Sequence, residues 1–134
     1  MNPQAPVPLS SGLLVVDDDE TACRFAAVLL RRMGYTVFTA TDPREAFRLC
    51  EENPGKIGVV IADVAMPGLD GYVLSRKIGV LFPEIRFLFI SGHDDEELLE
   101  EYGRNENGEL IHKPYVTGML INRVQRLVMA SKES

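Results

Sequence analysis

Val59-Val60-Ile61-Ala62-Asp63-Val64-Ala65-Met66-Pro67-Gly68-Leu69-Asp70-Gly71 sets an apolar run, one carboxylate and a Pro-Gly turn in immediate succession. Four apolar residues in a row, with Gly58 before and a carboxylate after, predict a short strand buried on both faces. Asp63 then stands where that strand runs out. Met66-Pro67-Gly68 continues neither strand nor helix, because Pro67 lacks a donor and disfavours helical geometry at Met66, while Gly68 permits positive φ. A rigid strand thus holds a lone carboxylate at the mouth of a loop. In open α/β sheets such strand ends build the sites, and a carboxylate there is a candidate nucleophile or metal ligand. The plainer alternative is that Asp63 only accepts bonds from loop N–H groups.

The same arrangement occurs earlier. Leu13-Leu14-Val15-Val16 is a second short apolar run, and it ends in Asp17, Asp18, Asp19 and Glu20. From Thr21 the spacing turns helical, with Phe25, Val28, Leu29 and Met33 marking one face and Gly34 the stop. Residues 35–40 are β-branched and aromatic, which predicts a strand. Asp42-Pro43 with Glu45 predicts a helix start: a capping side chain, a proline at the first position and a first-turn carboxylate. That helix should turn Ala46, Phe47, Leu49 and Cys50 inward and end before Asn53-Pro54-Gly55.

Gly71 opens a helix with Val73, Leu74, Ile78 and Leu81 inward, ending before Pro83. Residues 86–90 form a fourth strand that closes in Ser91-Gly92-His93. A short acidic helix over 94–102 and a mobile loop over 103–108 are expected, then a fifth strand over 109–112 ending in Lys113-Pro114. Thr117 is expected to cap a last helix with Leu120, Val124, Leu127 and Val128 at helical spacing. Five strands alternating with five helices call for a doubly wound α/β fold: a five-stranded parallel sheet with helices on both faces.

Bulk properties narrow the function. One domain accommodates 134 residues, and 46% hydrophobic with 25% charged content is ordinary for a globular chain. A net charge of −6 argues against direct nucleic-acid binding, which depends on Lys and Arg neutralising phosphates. No run approaches the roughly 20 apolar residues of a bilayer span, so no membrane insertion and a cytoplasmic location are expected. Cys23 and Cys50 fall inside helical patterns and are expected as buried thiols without a disulfide. Residues 1–12 carry three prolines and no periodicity, which predicts a leader or linker.

Parallel strands all point one way, so the residues just past their carboxyl ends gather at one edge. The first strand delivers Asp17 and Asp18, the third Asp63, the fourth Ser91 and the fifth Lys113. Packed carboxylates repel unless a cation joins them, and hard oxygen ligands suit Mg²⁺ or Mn²⁺. A carboxylate beside such an ion, with a lysine and a hydroxyl opposite, has the parts of phosphoryl transfer, with Asp63 as in-line nucleophile forming an acyl phosphate. Singly, each residue has a plainer role: Ser91 in a turn, Lys113 on the surface, Asp19 and Glu20 as solvated charges at a helix N-terminus.

Leu14-Val15-Val16-Asp17-Asp18-Asp19, Asp63 through Gly71, Ile90-Ser91-Gly92 and Lys113-Pro114-Tyr115 together resemble the response-regulator receiver domain of two-component signalling. The resemblance runs from about residue 13 to 128 and implies a flavodoxin-like sheet of strand order 2-1-3-4-5, with a receiver domain over 13–130 and a tail over 131–134. It implies that Asp63 accepts a phosphoryl group from a phosphohistidine on a histidine kinase or histidine phosphotransfer protein. Asp18, Asp63 and the main-chain carbonyl of Ala65 would hold Mg²⁺, Asp17 would act through water, and Ser91 and Lys113 would grip the phosphoryl oxygens. An unidentified downstream protein would read the phosphorylated face.

Four positions depart from the family pattern or tune it. Leu110 stands three residues before Lys113, where the family usually has Tyr or Phe, so an inward-swinging ring is missing. Gly92 replaces the usual Ala and leaves the site more open, and His93 with Ala65 occupies positions that tune hydrolysis of the acyl phosphate. Two other classes compete. An aspartyl-nucleophile phosphatase would need a second acid two residues past Asp63, where Ala65 stands, and a phosphorylation-independent pseudo-receiver would lack Asp18, Asp63 or Lys113. The Pro-rich start also suits a module excised from a hybrid histidine kinase, and no independent turnover enzyme is expected.

Overall fold

In a computed structural model describing residues 12–63, 71–91, 108–112 and 117–133, the apolar runs become strands. They are β1 (Gly12–Val16), β2 (Val37–Ala40), β3 (Ile57–Asp63), β4 (Arg86–Ser91) and β5 (Gly108–His112). Every neighbouring pair is parallel, and the order is β2-β1-β3-β4-β5, as the resemblance implied. The described helices are α1 (Glu20–Arg32), α2 (Pro43–Glu52), α3 (Gly71–Leu81) and α4 (Thr117–Glu133). The expected acidic helix over 94–102, the loop as far as residue 107 and the leader over 1–11 lie outside the described residues.

Side-chain alternation along the strands explains why their apolar runs are continuous. Leu13 and Val15 of β1, Val59 and Ile61 of β3, Leu88 and Ile90 of β4 and Ile111 of β5 meet α1 and α4 on one face. Leu14 and Val16, Val60 and Ala62, and Phe87 and Phe89 meet α2 and α3 on the other. Both faces are therefore core. The alternation breaks once, at the start of β3, where Gly12 pairs with Ile57 but Leu13 with Val59. Only glycine fits at this irregularity, because a Cβ on Gly12 would collide with the Lys56 carbonyl oxygen.

α1 corrects the sequence-based expectation. Phe25 is 58% exposed, Val28 41% and Met33 42%, and only Leu29 of the predicted face packs partly against the core. The buried stripe is Cys23, Ala26, Ala27 and Leu30. Both stripes have helical spacing, but the small one lets the helix lie closer to strands already crowded with Val, Leu and Ile. Likewise Leu81, at the last residue of α3, is 54% exposed, while Leu74, Ser75 and Ile78 face inward. Ala46 and Cys50 of α2 and Leu120, Val124, Leu127 and Val128 of α4 are buried as expected.

Helix ends follow their local chemistry. Asp42 caps α2 by accepting from the Glu45 N–H at 2.8 Å, with Pro43 in the first turn. α1 closes with the Gly34 N–H donating to the Arg31 carbonyl and the Tyr35 N–H to the Leu30 carbonyl, Gly34 having φ 100°. That turn uses up Tyr35, which is why β2 begins at Val37 and not at residue 35. Arg31 Nη2 reaches across to the Val37 carbonyl at 2.8 Å. No described helix is long and apolar enough to cross a membrane.

Cys23 and Cys50 are free and buried. Burial pushes the Cys50 thiol up from its ordinary 9.0 to about 11. The folded state therefore holds this proton after the unfolded chain has released it. Between about pH 9 and 11 the contribution fully present below pH 9 is lost. Urea midpoints of wild type should fall relative to Cys50→Ala across that window, and parallel curves would show that the thiol titrates normally.

Candidate functional site

Register brings the carboxylates together. Val16, the last residue of β1, pairs with Ala62, so Asp17 emerges from β1 beside Asp63, the last residue of β3. One oxygen from each of Asp17, Asp18 and Asp63 lies within 4.8 Å of the others. Asp63 is 9% exposed, Asp17 is half-buried and Asp18 is exposed, so the group runs from the sheet edge out to solvent.

The β1–α1 connection is held bond by bond. The Asp17 N–H donates to the Ala40 carbonyl at 3.1 Å, which fastens the end of β1 to the end of β2. The Asp17 carboxylate then accepts the Asp19 N–H at 2.9 Å. Asp19 is the N-cap of α1, and its Oδ1 accepts from Thr21 N at 3.0 Å and Ala22 N at 3.3 Å. Beneath this turn the Cys23 thiol lies 3.6 Å from the Val15 carbonyl and 3.8 Å from that of Ala40. Burial, the largest influence, raises its pKa, so it stays a neutral thiol packed under the acidic edge. The sequence alone marks Cys23 only as core. Its position one turn into the helix that leaves the acidic run is the signal that could have placed it here.

Three carboxylates this close repel one another, and a cation among them removes the repulsion. The donor set is all hard oxygen, with one carboxylate open to solvent, so these residues could hold a metal ion that prefers oxygen ligands and keeps some water.

Of the other predicted site residues, Ser91 is the last residue of β4, its backbone paired with His112 of β5 at the same edge as Asp63. Its side chain lies outside the described residues, as do Ala65, Gly92, His93 and Lys113. The backbone of Leu110 lies in β5 opposite Phe89.

Residues 13–125 match the family described as the response regulator receiver domain. The chain is similar to the sensor kinase CckA of Brucella abortus, 30% identical over 119 residues that are 88% of this chain and 13% of that protein. It is also similar to the two-component response regulator ARR10 of Arabidopsis thaliana, 33% identical over 125 residues, 93% of this chain and 22% of that one. The chain thus spans less than a quarter of either relative. Among solved structures it resembles a response regulator receiver domain protein from Clostridium thermocellum, with a TM-score of 0.84 and 30% identity over 90% of this chain and 96% of the other. Sequence match, strand order and the strand-end carboxylates agree: the chain belongs to the response regulator receiver domain family.

Proposed function

We propose that this chain is a phosphoacceptor switch in which Asp63 takes a phosphoryl group from a phosphohistidine on a histidine kinase or histidine phosphotransfer protein. The supporting observation is the convergence of Asp17, Asp18 and Asp63 from two adjacent strands within 4.8 Å, in a chain of the receiver family. A carboxylate oxygen of Asp63 attacks phosphorus in line, forming a P–O bond while the P–N bond breaks and its electron pair returns to the imidazole. The product is an acyl phosphate on Asp63. Burial of Asp63 at the strand end limits the approach of water to that bond, which favours a lifetime long enough to signal.

Asp18, Asp63 and the Ala65 carbonyl would hold Mg²⁺ or Mn²⁺, with Asp17 acting through water. The ion, when bound, neutralises negative charge on the transferring group. Ser91 and Lys113 are proposed to hold the phosphoryl oxygens, and Gly92, His93 and Leu110 to adjust lifetime and switching. The phosphorylated surface would then bind a downstream protein. A cytoplasmic setting fits the free, buried thiols. The receiver domain is taken as 13–130, and it works alone or as one module of a larger signalling protein.

Incubation with acetyl phosphate and Mg²⁺, followed by intact mass spectrometry, should add a single phosphoryl group per chain, and chelation should prevent it. Continuous release of inorganic phosphate far beyond one equivalent per chain, with no labelled protein, would instead indicate a phosphatase.

A further inference from the structure

We infer that Asp19 is a positioning residue for the cation site, acting through Asp17 and coupling cation binding to the start of α1. The inference rests on the proposal that Asp17, Asp18 and Asp63 hold a divalent cation, and adds a residue outside that set.

Two side-chain bonds succeed each other along the turn. The Asp17 carboxylate accepts the Asp19 N–H at 2.9 Å, and the Asp19 carboxylate accepts the Thr21 and Ala22 N–H groups. The Asp19 carbonyl meanwhile accepts the Cys23 N–H at 2.9 Å as the first bond of the helix. Asp19 has extended backbone, φ −84° and ψ 106°, as an N-cap requires. Its conformation is thus set by the helix on one side and sets the orientation of the Asp17 carboxylate on the other. Asp18 lies between the two, so the same turn decides where its carboxylate falls. Without the cap, Asp19 is free to leave this conformation. The N–H that holds Asp17 leaves with it, and the ion then meets two carboxylates that must be ordered at the moment of binding.

Charge offers a competing account, because Asp19 is acidic and exposed near a cation site. Asn separates the two accounts, since it caps helices about as well as Asp but carries no charge. Free Mn²⁺, followed by its electron paramagnetic resonance signal, reports binding without phosphorylation. Losing the cap, at about 1 kcal/mol, should weaken Mn²⁺ binding by Asp19→Ala by about fivefold, while Asp19→Asn stays within about twofold of wild type.

Coupling is reciprocal, so wild type supplies a readout that needs no variant to fold. Saturating Mg²⁺ should slow amide exchange at Asp19, Thr21 and Ala22. Equal weakening in Asp19→Ala and Asp19→Asn would assign the effect to charge and overturn the inference. So would unchanged affinity in Asp19→Ala, or exchange at these amides that does not respond to Mg²⁺. Absence of Mn²⁺ binding in wild type would overturn the cation site itself, which distinguishes that failure from a failure of Asp19 alone.

Discussion

Asp63→Asn protein incubated with acetyl phosphate and Mg²⁺ should take up phosphoryl groups at least about 10³-fold more slowly than wild type. The carboxamide is close to isosteric, but it has lost the anionic oxygen proposed to attack phosphorus. It also removes one of three acidic groups whose oxygens lie within 4.8 Å, so divalent-cation affinity drops at the same time. Folding should survive, because without a cation the substitution relieves repulsion between close carboxylates. Mg²⁺ should therefore raise the urea midpoint of wild type, by binding the native state, and leave that of Asp63→Asn nearly unmoved. Labelling of the variant at the wild-type rate would place the phosphoacceptor elsewhere.

Phe89→Ala should lose about 3–5 kcal/mol of stability, against the roughly 5–15 kcal/mol typical of a domain. Phe89 is completely buried in β4 and stacks on Phe87, with ring centroids 5.9 Å apart and planes 6° from parallel. The pair packs on the face covered by α2 and α3, among Leu14, Val16, Val60 and Ala62. Truncation there leaves a cavity that neighbouring strands, pinned by their ladders, can close only in part. Phe89→Leu keeps most of the volume and should lose only about 1–2 kcal/mol. The effect reaches the site, since Phe89 pairs with Ala62, the residue before Asp63. Urea unfolding checks the order of the two variants. A loss under about 1 kcal/mol for Phe89→Ala would mean this face is not tightly packed.

The sheet was legible because its strands are apolar on both sides. Runs such as Leu13 to Val16 and Val59 to Ala62 allow no solvent-facing alternation, and the carboxylates that end them mark the edge where the site forms. Asp42-Pro43 announced α2 because a cap acts through neighbours close in the chain. The inward face of α1 was not legible in the same way. Phe25, Val28, Leu29 and Met33 satisfy helical spacing as well as Cys23, Ala26, Ala27 and Leu30 do. The choice between them is made by the room above β1 and β2, the strands on which α1 packs, a tertiary property that the spacing within the helix does not carry. The bonds that join Asp17, Asp19 and α1 were likewise hidden, because a run of four acidic residues does not say which of them turns to the helix. Asp19 and Glu20, read as helix-start charges, hold those places, with Asp19 as the cap.

The guanidinium of Arg31 has a consequence for association between molecules. β2 is outermost among the described strands, and the Thr36 and Ala40 carbonyls point to β1, so that of Val37 points outward. By occupying this oxygen, Arg31 plants a bulky cation on the rim where a foreign strand would have to dock. The exposed border is thereby guarded against templated stacking and the aggregates that grow from it.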